Sequence, residues 1–419
     1  MEKSKRFKKN FIWNIIGTGF NAFNSLFFLI IVTRVNGLND AGIFTLAFST
    51  SCILYMIGIY AGRIYQVTEC DKSITDKEFI INRIISCLLM WIIIFLFVTI
   101  KKYDIYKSSI FIILVMYKSI EAFSEVIYGV LQKNDLLDKV GKSFFFKAII
   151  SVILFLIIDI VSKNLIVACI SIVVTNLAIL FFYDFKNIKQ IVDLKLKVNK
   201  NNVIKIFKDG IFVFLISFLG LYITNAPKYA IDNYLVENLQ AIFGIIIMPA
   251  TVMGLLAQFL IHPYLNQIVN FYEEKNFKKI KKITIRLVLS ILVLGIICSI
   301  LGYLLGTQLL GFVYNIELKE YALSLFIILI GATLYTMAGI MMPILITMRC
   351  TFIEFIISLV VVILELLICN KLVIKYELNG AVIGYFIAMS TYFILFAIST
   401  IIVINKKEEK ELKKEKIII

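Results

Sequence analysis

The sequence predicts an all-α integral membrane protein with about twelve spanning helices in two six-helix lobes. Three observations lead there. Of 419 residues, 60% are hydrophobic and 17% charged, where a soluble globular chain is roughly 45–50% apolar and about 25% charged. The apolar residues gather into runs of about 20, the length of a helix that crosses a hydrocarbon core of about 30 Å. The basic residues fall mostly into every second loop between those runs, which is how a membrane chain is oriented. A soluble enzyme, a disordered chain and a small disulfide scaffold are excluded by the same composition.

The runs lie at 11–33, 41–65, 79–100, 109–132, 143–161, 164–185, 208–229, 241–265, 284–306, 321–346, 351–369 and 380–404. Helices are required because lipid offers no partner to open backbone groups. The short alternating strands of an outer-membrane barrel are not seen. The first run follows Lys3, Lys5, Arg6, Lys8 and Lys9, as a signal peptide would. It continues to Thr33, too long for a signal core, and no small-residue cleavage site follows, so it is expected to stay as the first span.

With the N-terminus in the cytoplasm, 33 of the 43 Lys and Arg residues fall on the cytoplasmic side. Both termini are therefore expected there. The net charge of +15 then reads as a set of topology determinants near anionic lipid heads, not as a nucleic-acid surface. The longest cytoplasmic loop divides the chain into a lobe at 1–190, a linker at 191–207, a lobe at 208–404 and a charged tail at 405–419. Phe7-Lys8-Lys9 before the first span echoes Phe207-Lys208-Asp209 before the seventh, and Ile43-Phe44 echoes Ile242-Phe243. An even number of spans per half makes the halves parallel repeats.

Charged residues inside spans are costly and usually face a protein interior or a wet cavity. In the fourth span Lys118, Glu121, Glu125, Tyr128 and Gln132 follow a 3, 4, 3, 4 spacing that places them on one stripe. Two readings stand: an internal Lys118–Glu121 ion pair with an interhelical hydrogen bond, or the wall of a hydrated cavity whose carboxylate takes up a proton or cation. In the first span Asn14, Thr18, Asn21 and Ser25 share a face that either meets sugar hydroxyls or joins helices, as small polar residues commonly do in membranes. Thr251, Gln258 and His262 align in the eighth span. Glu354, Ser358 and Glu365 align in the eleventh, with Arg349 near enough in sequence to pair with Glu354. The four prolines, Pro227, Pro249, Pro263 and Pro343, fall in or at the ends of second-half spans, where they bend helices.

No catalytic constellation appears. There is no Walker A loop and no GxGxxG. One histidine and seven scattered cysteines without a CxxC leave no His-cluster or zinc-type site, so no metal is expected. The outer loops are too short for an enzyme working on the outer surface.

Specific residues resemble a known group. Arg63-Ile64-Tyr65-Gln66-Val67-Thr68-Glu69 followed by Arg83 is similar to the segment after the second span of bacterial polysaccharide-repeat flippases, the O-antigen and capsule Wzx type. So are Tyr117-Lys118-Ser119-Ile120-Glu121-Ala122 and Tyr128-Gly129-Val130-Leu131-Gln132-Lys133. In the second half, Pro227-Lys228-Tyr229-Ala230-Ile231-Asp232 resembles the same group, as does Phe243 through Thr251 continuing to His262-Pro263-Tyr264-Leu265. The resemblance covers both halves.

It implies membership of the multidrug/oligosaccharidyl-lipid/polysaccharide exporter superfamily, with two lobes around a central cavity as in the multidrug (MATE) exporters. It also implies transfer of undecaprenyl-diphosphate-linked repeat units between leaflets of the bacterial plasma membrane. The glycolipid, membrane lipids, and the polymerase and glycosyltransferases of the same pathway are the implied partners. No cofactor is called for beyond H⁺ or Na⁺ coupling, for which Glu121 and Glu125 are the candidates. Arg34, in Thr33-Arg34-Val35-Asn36-Gly37, resembles the first-span arginine of peptidoglycan-precursor flippases, and Arg63 a second-span one. Both are expected at the diphosphate, with Asn14, Asn21, Lys118 and Gln258 lining the cavity. The Pro249-to-Pro263 spacing also resembles those flippases. Their basic residue before the first proline is absent here, with Gly244 nearby instead, and they carry two additional spans. Both departures argue against a peptidoglycan precursor as substrate. A drug/cation antiporter of the same superfamily and a membrane polysaccharide polymerase are the alternative functions.

Overall fold

A computed structural model describes residues 2–69, 73–189, 191 and 198–418. All regular elements among them are helices: α1 (Glu2–Ala22), α2 (Asn24–Val35), α3 (Leu38–Ile59), α4 (Gly62–Thr68), α5 (Asp76–Lys101), α6 (Ile105–Lys133), α7 (Leu137–Ser162), α8 (Leu165–Ile179), α9 (Phe185–Ile188), α10 (Lys200–Tyr234), α11 (Glu237–Glu273), α12 (Phe277–Leu301), α13 (Thr307–Tyr314), α14 (Ala322–Thr347) and α15 (Thr351–Ile418). Wide π-type turns at Leu180–Asp184 and Gly302–Gly306 join α8 to α9 and α12 to α13.

Among the described residues ten helical stretches are long and apolar enough to cross a bilayer. Two details bring this to the twelve spans expected. Helix α6 has 29 residues, enough to cross, but its charged stripe lowers its hydropathy. Helix α15 runs for 68 residues with a break at Glu377, whose φ of 52° no α-helix contains, so it forms two crossing legs at 351–376 and 378–418. The break falls in the gap between the apolar runs at 351–369 and 380–404.

Helix starts follow local chemistry. Thr75 and Glu78 form a reciprocal capping box at α5, Asp104 accepts from the Lys107 N–H at α6 (2.9 Å), and Asn164 accepts from Ile166 and Val167 at α8. Each satisfies amide donors that a helix end leaves open. The outer faces are apolar and bare: Ile85, Leu88, Leu89, Ile92 and Leu96 of α5, and Ile285, Leu289, Val293, Ile296 and Ile300 of α12, are all exposed. In water such faces would aggregate; in lipid they are the solvent-facing surface.

The chain forms two compact units, Met1–Leu221 and Tyr222–Ile419, with the division inside α10. In the first unit α6 is central, packed by α3, α5 and α8, while α1 lies along α7. In the second unit α14 is central, packed by α11, α12 and α15; Leu287 and Ile291 of α12 close on Met337 and Ile340 of α14.

The second span is interrupted. Tyr60 (φ 50°) and Gly62 (φ 74°) both take left-handed backbone, which ends α3 and restarts the chain as α4. Glycine adopts that conformation freely and tyrosine does not. Tyr60 is held in it by a hydrogen bond to the Phe207 carbonyl (2.7 Å) and by the rings of Phe207 and Phe214, 4.9 and 5.0 Å away.

Candidate functional site

The charged stripe of α6 lies inside the first unit. Lys118 donates to Glu121 at 2.6 Å, and its ammonium faces the rings of Tyr117, Phe48 and Tyr55 at 4.8–5.5 Å. A cation so placed is held by a carboxylate on one side and by ring quadrupoles on the others. The first-span polar face joins it: Asn21 donates to Glu121 (3.5 Å) and Asn24 to Asn21 (3.4 Å). The ion pair and the interhelical hydrogen bond of the first reading are thus both present. Thr18 turns back to the Asn14 carbonyl of its own helix. The side-chain oxygen of Asn14 is buried and finds no partner among the described residues.

One turn along, Glu125 lies 3.6 Å from the Arg63 guanidinium. The break at Tyr60–Gly62 makes this possible, because it re-aims the short α4 toward α6. Gln66 of α4 then donates to the Val126 carbonyl (3.1 Å) and anchors the segment. One terminal nitrogen of Arg63 is buried without a partner among the described residues. The second arginine of the quoted motif, Arg83, is buried and donates to the Gly58 carbonyl at 2.6 Å. There it meets the negative end of the α3 dipole.

A further turn on, Tyr128 enters a network that the sequence did not reveal. Lys147 of α7 donates to Asp184 (2.6 Å), Ser124 (2.6 Å) and Tyr128 (2.9 Å). Ser143 donates to the other Asp184 oxygen (2.6 Å) and bonds Tyr128 (2.7 Å). Lys147 is expected from sequence to be a basic topology residue. It is instead 4% exposed, with Asp184 at 0%. The only sequence signal was a lysine and an aspartate at the edges of neighbouring apolar runs.

Arg34 sits in the last turn of α2 and is exposed. Helix α3 separates it from Arg63; its 22 residues span about 33 Å at 1.5 Å per residue. One diphosphate cannot touch both arginines at once. The side chains of Gln258 and His262 lie outside the described residues.

In the second unit Glu354, Ser358 and Glu365 are all buried, at 1%, 0% and 1% exposure. Both Glu365 carboxylate oxygens and one of Glu354 are shielded without a hydrogen-bond partner among the described residues. Tyr335 of α14 and Tyr392 of α15 stack 5.5 Å apart. Among the described residues no group of three or more His, Cys, Asp or Glu side chains gathers as a metal would need.

No protein-family model matches the sequence. It is 27% identical over 401 residues to the capsular polysaccharide biosynthesis protein CapF of Staphylococcus aureus, covering 93% of this chain and 98% of that protein. Among solved structures, an inward-facing multidrug resistance MATE transporter of the MOP superfamily superposes with a TM-score of 0.73 at 13% identity, over 94% of this chain and 99% of that one. The lipid II flippase MurJ in an inward closed conformation superposes with a TM-score of 0.69 at 16% identity, over 96% and 91%. The MATE transporter VcmN of Vibrio cholerae in its bent form gives 0.61 at 12%, over 97% and 98%. The chain is thus a multi-pass membrane protein with the fold of the multidrug/oligosaccharidyl-lipid/polysaccharide exporters, homologous over nearly its whole length to a capsular polysaccharide biosynthesis protein, as its motifs implied.

Proposed function

We propose that this protein is a flippase for lipid-linked oligosaccharide, carrying undecaprenyl-diphosphate-linked repeat units from the cytoplasmic to the outer leaflet by alternating access. The observation that carries this reading is the full-length similarity to a capsular polysaccharide biosynthesis protein on a chain with an exporter fold. It works as a transporter, not an enzyme, in the bacterial plasma membrane, with both termini in the cytoplasm and its glycolipid supplied and consumed by the glycosyltransferases and polymerase of the pathway.

The physical problem is a polar, doubly charged head in a hydrocarbon core, where unpaired charge is prohibitively costly. Arginine answers it with forked, bidentate bonds to phosphate. Arg63 has a buried nitrogen without a described partner and only a long contact to Glu125, so it exchanges a weak pair for the diphosphate. Arg34, a helix length away, serves the head at the other end of its path. Asn14, Asn21, Lys118 and Gln258 meet the sugars and phosphates between. Glu125, more loosely held than Glu121, takes the coupling H⁺ or Na⁺. Net flux comes from that ion gradient or from removal of product outside.

The test is Arg63→Ala at unchanged expression in a strain that depends on this protein. Surface polysaccharide is expected to disappear; normal polymer would remove Arg63 from the mechanism. The structural likeness to multidrug transporters favours one second reading, a drug or cation antiporter. Dye efflux by the purified protein, with no transfer of a labelled polyprenyl-diphosphate sugar across vesicles, would favour it.

A further inference from the structure

Helices α1 and α7 cross where Gly17 meets Gly141. A Cβ on Gly17 would run into the Gly141 carbonyl, and one on Gly141 into the Trp13 carbonyl. The backbones touch there, so side chains on either side of the crossing stand apart. Two open grooves lie near this crossing, the first on α1 alone. The first, about 320 Å³, is lined by Lys8, Lys9, Ile12 and Trp13. The second, about 190 Å³, is lined by Phe20 of α1, Asn24 and Phe27 of α2, and Ile149, Val152 and their neighbours of α7.

Phe145 bridges the two linings. Phe145 lies edge-on to Trp13 at 5.9 Å and to Phe20 at 5.3 Å. Trp13 and Phe20 of α1 are seven residues apart, with Phe27 of α2 seven further on past the turn at Phe23, and Lys142, Phe145, Ile149 and Val152 at 3, 4 and 3 form one stripe of α7. Lys142 stands over the Trp13 ring at 5.3 Å. Lys9 also pairs with Asp138 at 2.9 Å; three ammonium groups against one carboxylate leave this mouth positive. A tryptophan among lysines at the end of an apolar lane is the composition of a membrane interface.

Length decides the occupant. From Trp13 to Phe27 is about 21 Å at 1.5 Å per residue, beyond half of a core of about 30 Å. A phospholipid acyl chain covers one leaflet. A chain that fills this lane crosses the midplane.

We propose that the α1–α7 flank is a docking lane for a polyprenyl-phosphate lipid, its anionic head against Lys8, Lys9 and Lys142 and its isoprenoid tail along Trp13, Phe145, Phe20 and Phe27. The choice of lipid rests on the flippase reading above. The lane holds the carrier by its tail at the edge of the first unit, apart from the residues assigned to the sugar diphosphate.

The chain has two tryptophans, and Trp91→Phe leaves Trp13 as sole reporter. The full-length protein in phosphatidylcholine vesicles is titrated with sugar-free undecaprenyl monophosphate. A saturable change in Trp13 emission is expected. Dioleoyl phosphatidate and a three-isoprene phosphate are expected to need at least tenfold more lipid. Lys8→Gln with Lys142→Gln is expected to raise the midpoint about 20-fold, about fivefold per lysine. No response, an equal response to phosphatidate or to the short chain, or a midpoint unmoved by the double substitution each overturns the proposal. The two readings separate cleanly. Protein that answers undecaprenyl phosphate at Trp13 but transfers no glycolipid overturns the flippase reading alone. Protein that transfers glycolipid without a Trp13 response overturns the lane alone.

Discussion

Two buried charge sites, one in each unit, are handled in opposite ways. In the first, Lys147 and Asp184 are locked together with Ser124, Ser143 and Tyr128, all within 2.9 Å. In the second, Glu354 and Glu365 are as deeply buried, yet three of their four carboxylate oxygens have no hydrogen-bond partner among the described residues. A satisfied network in a low-dielectric interior fixes a geometry, whereas an unsatisfied acid is a standing cost. The first arrangement is what holds a lobe rigid. The second is tolerated only where the rest of the fold outweighs it.

Substitutions turn that contrast into measurements. The largest effect is expected from Lys147→Ala, which leaves the Asp184 carboxylate buried and unpaired. A loss of about 3–5 kcal/mol follows from breaking a buried pair, seen as a steep drop in Tm in detergent. Replacing both partners with Met and Leu should recover most of it. An unchanged Tm for Lys147→Ala would mean the network holds nothing together. Glu365→Leu should act with the opposite sign, because it removes two unsatisfied oxygens and keeps the volume. A gain of about 1–3 kcal/mol is expected, and a fall in Tm would reveal a partner for that carboxylate. The smallest effect belongs to Glu125→Gln. Its contact to Arg63 is long and partly exposed, so stability should shift by less than about 1 kcal/mol, while transport loses its dependence on the ion gradient. Retained ion dependence would take Glu125 out of the coupling role.

Much of this architecture is legible from residue order, because helical periodicity is local. The spacing of Lys118, Glu121 and Glu125 places them on one stripe, and the structure finds the first two 2.6 Å apart. What crosses between helices is another matter. Arg63 reaches Glu125 only because the second span breaks at Tyr60, and nothing about a tyrosine announces left-handed backbone; its hold on Phe207 is a contact across 147 residues. Lys147 lies at the very edge of an apolar run, beside loop lysines, and its burial depends on Asp184 arriving from a neighbouring helix. Arg349 and Glu354, five positions apart, looked like an ion pair. Yet Arg349 takes left-handed backbone (φ 59°) in the turn before α15, and no such pair forms among the described residues. Arg34 and Arg63 look equivalent by motif, but a full helix stands between them.

The interruption at Tyr60 turns the second span from a girder into a jointed arm. Its second piece, α4, is pinned to α6 by Gln66, as α3 is by its own packing. The elbow is clasped by Phe207 and Phe214 of α10, the same uninterrupted helix in which the chain passes from one unit to the next. The elbow is thereby tied to α10, and Tyr60→Phe, which removes the hydroxyl that grips the Phe207 carbonyl, would loosen that tie.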